Sequence, residues 1–417
     1  MADLGPYDES VPHPAPRAEL ARRFADLRAR RAERARPVDL GAVRELIVVV
    51  TSSRGGSSLL GELLRRHAGL LHFPAELNPY VAIAQLDRER DRRQVLADEL
   101  ALAIGQPEAH PGPGYADEVA WRLLAQWPDL ELGDAARFVG DRTDGLGAQP
   151  GLSVIAAVRA EHPEVELSRY DVPGAGLGDR VLKAAGPTAE TVIEMTPFVL
   201  PRPWQRATPA EVALLPLLLS TPRMTYRLPL VRALFPNARI RLLHLTRNPA
   251  GATNGLIDGW LSSGFFSTPV PTPLNISGYS DRFPEWGTRW WCYEVPPDWA
   301  SLTDRPLAEV CAAQWRSAHT TAFELPEERL RIAYEDLVGP DEQRQALAER
   351  LAAWIGLDPG PLAELLVRGL PPVMATRAPR PGRWREREDE LLPVLIDDET
   401  LALAERLGHP PDPSQWG

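Results

Sequence analysis

The run Leu46-Ile-Val-Val-Val50 passes straight into Thr51-Ser-Ser-Arg-Gly-Gly-Ser-Ser58 and then into Leu59-Leu-Gly-Glu-Leu-Leu64. The first piece reads as a buried strand, the second as a turn and the third as the start of a helix. A strand that turns directly into a helix leaves backbone N–H groups aimed over the turn, with the positive end of the helix behind them. Gly55 and Gly56 permit close approach and positive φ. Ser53, Ser57 and Ser58 add hydroxyl donors, Leu59 adds a further N–H, and Arg54 adds a fixed positive charge. The segment is an anion cradle.

It is not the cradle of an ATPase. A Walker A loop needs lysine for the β- and γ-phosphates and a hydroxyl for Mg²⁺. Here the chain's single lysine is Lys183, far along the sequence. A second strand-like run, Ile240 to Leu245, ends in Thr246-Arg247-Asn248-Pro249 before a helical stretch, Ala250 to Trp260. A nucleoside triphosphatase carries a metal-binding aspartate at that strand end. Two anion-binding strand ends without that aspartate point to a nucleotide with two separate phosphate-type groups.

Together these segments resemble the sulfotransferases that use 3′-phosphoadenosine 5′-phosphosulfate (PAPS). The resemblance runs from about Leu46 to the C-terminus and takes in Phe235-Pro-Asn-Ala-Arg239, Leu330-Arg-Ile-Ala-Tyr-Glu-Asp-Leu-Val338 and Arg380-Pro-Gly-Arg-Trp-Arg-Glu386. It implies that the first loop, Ser53 to Leu59, holds the 5′-phosphosulfate and that Arg247 holds the 3′-phosphate. Arg380 and Gly382 would lie in a segment that closes over the nucleotide. It implies PAPS as donor, 3′,5′-adenosine diphosphate (PAP) as product, and no metal. The sequence departs from the family in three places. Arg54 stands where lysine is usual, and Gly255, beside Asn254, stands where a serine commonly binds the 3′-phosphate. Near the end Arg377, Arg380 and Arg383 stand in place of an Arg-Lys-Gly triplet. Asn254 or a backbone N–H at Gly255 must then serve the 3′-phosphate.

Sulfuryl transfer to a neutral hydroxyl needs charge stabilisation on the leaving phosphate and a base within hydrogen-bond reach. Glu76 is the first candidate for that base, since the resembled family's carbohydrate and bacterial branches place a glutamate just past the second strand. The alternative for Glu76 is a helix-capping residue before Asn78. His72 is its rival, though a histidine inside a strand is more often a core residue. The resemblance, in which the family often has a lysine at this place, makes Arg227 the candidate contact for the transferring sulfuryl group, with a structural ion pair as its alternative. His244, inside a strand, reads as a core histidine. The aromatic stretch from Trp260 to Tyr293 is either an apolar acceptor pocket or core filling.

The expected fold class is α/β, a P-loop-type central parallel sheet flanked by helices on both faces, with helical and loop insertions. Strands are expected at 46–50, 69–73, 224–228, 240–245 and 329–333. Helices are expected over 307–323 and 343–355, and one beginning at 231–235. Residues 1–40 read as an N-terminal extension carrying a basic helix (17–36, with Leu20, Phe24 and Leu27 on one stripe). Residues 41–417 read as the sulfotransferase domain, with 80–200 and 261–300 as insertions around the acceptor.

A net charge of −11 argues against a nucleic-acid partner. Cys292 and Cys311 are too few for a disulfide scaffold or a zinc site. Neither a signal peptide nor a membrane span is legible, so a cytoplasmic enzyme is expected. The main reading is a sulfotransferase acting on a small, apolar hydroxyl acceptor. A β-hydroxyacyl chain on a carrier protein, or a sugar, is the alternative acceptor, and the basic helix would then be a docking element. A P-loop kinase and a catalytically inert nucleotide-binding protein are the remaining classes.

Overall fold

The computed structural model describes residues 17–74, 76–86, 90–108, 204–262, 265–284, 287–369 and 375–417, with the backbone of a two-stranded ribbon at Ser168–Arg169 and Val172–Gly176. Residues 1–16, Trp286, the Leu20 side chain and most of the 80–200 region lie outside the described residues.

Strands β1 (Glu45–Val50), β2 (Leu217–Ser220), β3 (Arg239–Thr246) and β4 (Arg329–Ala333) form a four-stranded parallel sheet in the order β4-β3-β1-β2. Side chains alternate across it. Leu46, Val48 and Val50 join Leu217, Leu219 and Leu242 in one core, while Ile47 and Val49 join Leu218, Leu243, Leu245 and Ile332 in another. Leu46 through Val50 are all fully buried, which is why the run is aliphatic at every position rather than at every second one.

Helices cover both faces. Helices α1 (Arg17–Arg34), α3 (Asn78–Leu86), α4 (Arg92–Leu100) and α5 (Leu228–Leu234) supply Phe24, Ile83, Leu96 and Val231 to the first core. Helices α2 (Ser57–Arg65), α8 (Asp341–Ile355) and α9 (Pro359–Arg368) supply Leu60, Leu351 and Leu362 to the second. A third core forms around α6 (Pro249–Trp260) and α7 (Leu307–Glu324), where Trp260, Tyr279, Trp291, Trp315, Trp384 and Trp416 pack together. No described helix is long and apolar enough to cross a membrane.

The N-terminal helix lies against the body. Phe24 and Leu27 are buried, and the fully buried Arg31 guanidinium meets Glu99 at 2.8 Å. Arg28 meets the same carboxylate at 2.8 Å, so the buried Glu99 charge is shared by two arginines.

Two expected strands need correction. Residues 224–228 are not a strand: Pro222–Tyr226 is a 3₁₀ turn and Leu228 opens α5. The strand lies earlier, at Leu217–Ser220, where the chain can bury three consecutive leucines against β1. Residues 69–73 shrink to isolated bridges, Leu71 to Leu217 and His72 to Gly105, at the β2 edge of the sheet.

Candidate functional site

The register of the sheet builds the site. Val50 pairs with His244 in the neighbouring parallel strand, so the chain leaves β1 at Thr51 and β3 at Arg247 side by side. Here β1 has neighbours on both sides and the connections diverge, the usual ligand position in an open parallel sheet.

The loop after β1 has an unusual backbone. Arg54 takes φ 62° and Gly56 takes φ 103°, both in the left-handed region. Gly56 is the N-cap of α2 and no side chain caps that helix. The N–H groups of Ser57, Ser58 and Leu59 therefore face outward at the positive helix end. Gly55 differs from expectation: it does not take positive φ, and its N–H is spent on Ser52 O at 3.1 Å. Its small size is what matters, because a Cβ there would stand 2.4 Å from Thr51 Oγ1.

Arg54 and Arg247 meet. Arg247 Nη1 donates to Arg54 O at 3.0 Å, and Arg54 Nε donates to Gly255 O at 3.3 Å. The Arg54 guanidinium lies 4.9 Å from the Phe265 ring centroid and that of Arg247 lies 4.4 Å from the Tyr334 ring centroid. Burial lowers the Arg247 pKa, and the charges of Arg54 and Arg383 add to that, against the opposing pull of Tyr334 and Glu335. Gly255 is explained by the same packing: a Cβ there would sit 3.1 Å from Arg54 Cβ and 3.8 Å from Arg247 Nη1. Arginine at 54 and glycine at 255 thus fit as a pair.

Asn248 caps α6. Its Oδ1 accepts from Gly251 N at 2.7 Å, while its N and Nδ2 donate to Glu335 Oε1 at 3.0 and 2.7 Å. Asp258, on the same helix, holds Arg383 at 2.5 Å and Arg387 at 2.7 Å. Burial would raise the Asp258 pKa, but Arg387 and Arg383 outweigh it and hold the carboxyl below its usual range. Arg387 also reaches Asn254 Oδ1 at 2.5 Å, tying the C-terminal segment to α6. Arg377 and Arg380 both pair with Glu386.

A cavity of about 650 Å³ opens over these loops. Of the residues expected from sequence, Ser53, Arg54, Gly56, Ser57, Ser58, Leu59, Glu76, Arg247, Asn254, Arg380 and Gly382 line it. Gly55, His72, Arg227 and Gly255 are not on its wall. Glu76 is half-buried, and its Oε2 accepts from Asn78 Nδ2 at 2.7 Å. His72 instead faces a small separate depression with Gly61, Arg65 and Thr221. Burial, and then the Arg65 charge, push its pKa well below the usual histidine value. Arg227 sits half-buried at the N-cap of α5.

The structure also brings in residues that sequence reasoning passed over. Arg223 is buried on the cavity wall, its guanidinium 4.8 Å from the Phe266 ring centroid. Moving the strand end from 228 to 220 is what puts Arg223, rather than Arg227, beyond the sheet edge. The signal was present in Leu217-Leu-Leu-Ser220 followed by Thr221-Pro222, a short aliphatic run with a breaker after it. Glu294 is buried on the same wall, accepting from Ser53 N at 2.8 Å and from Ser53 Oγ. Burial pushes its carboxyl pKa up, against the pull of the two Ser53 bonds. The aromatic stretch divides: Tyr279 and Trp291 fill core, while Phe265, Phe266 and Tyr293 face the cavity. His244 is a core residue, fully buried, with Nε2 3.0 Å from His319 Nδ1.

No protein-family model matches the chain, and no curated protein matches it. Among solved structures, a sulfotransferase domain from the curacin biosynthetic pathway is similar over 88% of this chain and 98% of its own, at 13% identity and TM-score 0.39. A sulfotransferase from Alicyclobacillus acidocaldarius is similar over 90% and 99%, at 12% identity and TM-score 0.34. Overlap at that level assigns neither fold nor activity. The parallel sheet, the paired arginines and the uncapped helix stand on this chain's own residues.

Proposed function

We propose that this chain is a sulfotransferase that moves a sulfuryl group from PAPS to a hydroxyl of a small, largely apolar acceptor. The observation that carries the reading is the meeting of Arg54 and Arg247, 193 residues apart in sequence, on one cavity beside an uncapped helix N-terminus. A nucleotide with anionic groups at both its 3′ and 5′ positions matches that pair of sites.

The α2 N-terminus, Ser57, Ser58 and Arg54 would hold the 5′-phosphosulfate. Arg247 and Asn254 would hold the 3′-phosphate, and Arg380 and Gly382 would border the nucleotide. Bound there, the donor supplies an activated sulfuryl group with a phosphate as leaving group. The chain's own part is to fix both phosphates and to stabilise charge on the leaving oxygen. Glu76 is the base for the acceptor hydroxyl. Arg223 takes the place expected of Arg227, a cation at the acceptor end. Phe265, Phe266 and Tyr293 would receive an apolar acceptor.

PAP without Mg²⁺ should raise the melting temperature of the protein, whereas a kinase would respond to ATP only with Mg²⁺. Arg247→Ala should weaken PAP by about 10- to 100-fold, the ~1.5–3 kcal/mol of a hydrogen bond to a charged group. Adenosine 5′-phosphate should be little affected, and equal weakening of both ligands refutes the 3′-phosphate role. Glu76→Gln should lower turnover by ~10²–10⁴ while PAP affinity stays within about twofold. Unchanged turnover removes Glu76 from the mechanism.

A further inference from the structure

Among the described residues, Arg54 (φ 62°) and Tyr293 (φ 68°) are the two non-glycine residues with positive φ. They are neighbours of the two members of one hydrogen-bonded pair: Ser53 precedes Arg54, and Glu294 follows Tyr293. A left-handed conformation in a side-chain-bearing residue persists only where its surroundings over-determine it, and such residues gather at functional sites.

The surroundings here are continuous. Glu294 takes both the N–H and the hydroxyl of Ser53. The backbone oxygen of Glu294 accepts from Trp291 Nε1 at 3.1 Å and from Gln314 Nε2 at 3.0 Å. Gln314 is fully buried on α7 and accepts from Trp260 Nε1 at 2.9 Å. Tyr293 packs against α6 at Gly259, where any Cβ would overlap its ring. The carboxylate is therefore anchored to two helices of the third core. From there it grips the residue immediately before the cradle arginine.

We propose that Glu294 is a positioning residue of the anion site, which acts through Ser53 to hold Arg54 in its left-handed conformation with the guanidinium over the cavity. The proposal rests on the PAPS reading for its ligand, but not for its geometry. The carboxyl group stands on the cavity wall with both of its oxygens committed to Ser53.

The test uses the full chain and PAP as the probe. Glu294→Gln keeps the shape but leaves one acceptor oxygen where the carboxyl group uses two, so the N–H and the hydroxyl of Ser53 can no longer both donate to it. Calorimetry should show PAP affinity falling about tenfold in Glu294→Gln, and by less than twofold when the same change is made in Arg54→Ala. An equal fall in both backgrounds, or tighter binding in Glu294→Gln, overturns the proposal. In the absence of ligand, hydrogen exchange of residues 51–58 should be about tenfold faster in Glu294→Gln, and an unchanged rate overturns it as well. If Glu294→Gln does not fold, Ser53→Ala removes one of the two bonds at small volume cost and should shift exchange in the same direction. Failure of the unmodified protein to bind PAP would sink the PAPS reading, and the exchange measurement would still decide the clamp.

Discussion

Replacing Gly56 with alanine probes the cradle at its tightest point. Gly56 sits at φ 103°, and a Cβ there would stand 2.4 Å from Tyr334 Cδ2 and 3.1 Å from Cε2. Two costs add. The left-handed backbone costs a side-chain-bearing residue about 1–2 kcal/mol. Forcing an extra methyl into a packed contact costs about 1–3 kcal/mol more. The total is about 2–5 kcal/mol of folding stability, read by equilibrium urea unfolding. A matched control separates the terms, because Gly356 has φ 92° but nothing lies within 4 Å of its Cβ position. Gly356→Ala should lose only the backbone part, about 1–2 kcal/mol. The clash also has a ligand readout. Tyr334 carries the Arg247 guanidinium on its ring face at 4.4 Å, so a displaced ring withdraws a contact of ~0.5–2 kcal/mol. PAP affinity should fall about 2- to 30-fold in Gly56→Ala and stay unchanged in Gly356→Ala. Equal stability losses in the two variants would refute the packing argument. Unaltered PAP binding by Gly56→Ala would refute the link from the cradle through Tyr334 to Arg247.

Two further outcomes follow from buried charge. His244 is fully buried with its pKa lowered to about 3, first by burial and then by the charges of Arg329 and Arg331. The unfolded chain takes up that proton first, so the folded state loses stability as pH falls from about 6.5 toward 3, by up to about 5 kcal/mol. His244→Gln, which keeps a partner for His319, should flatten the loss over that window; parallel curves would contradict the assignment. Asp258→Ala strands Arg383 and Arg387 and should cost about 3 kcal/mol. Because those arginines anchor the C-terminal segment, trypsin should cut faster at the Arg377–Ala378 bond, and an unchanged cleavage rate would show the anchor to lie elsewhere.

Much of the fold was legible because strong local patterns coincide with tertiary demand. The strand at 329–333, the helix after Leu307 and the strand–loop–helix at Leu46 emerge close to where periodicity puts them. The strand before α5 was not legible. Met224 to Leu228 and Leu217 to Ser220 are both short apolar runs, and nothing local says which one pairs with β1. That choice puts Arg223, and not Arg227, on the cavity wall. Likewise His72 and Glu76 lie close in sequence yet face different depressions, which depends on how the chain turns at the sheet edge.

By itself the sequence determined which donors stand at the two strand ends, because glycine, serine and arginine are written into the turn at 51–58 and arginine into the end of the second run at 247. Only the tertiary structure decided that Arg54 touches Gly255, that Arg247 rests on Tyr334, and that a buried Glu294 grips Ser53. The physical reason is range. Hydrogen-bonding capacity and backbone preference belong to single residues and short windows. The juxtaposition of positions 53 and 294, or 54 and 255, is set by strand order and by which helices share a core, and no window of sequence contains both members of either pair.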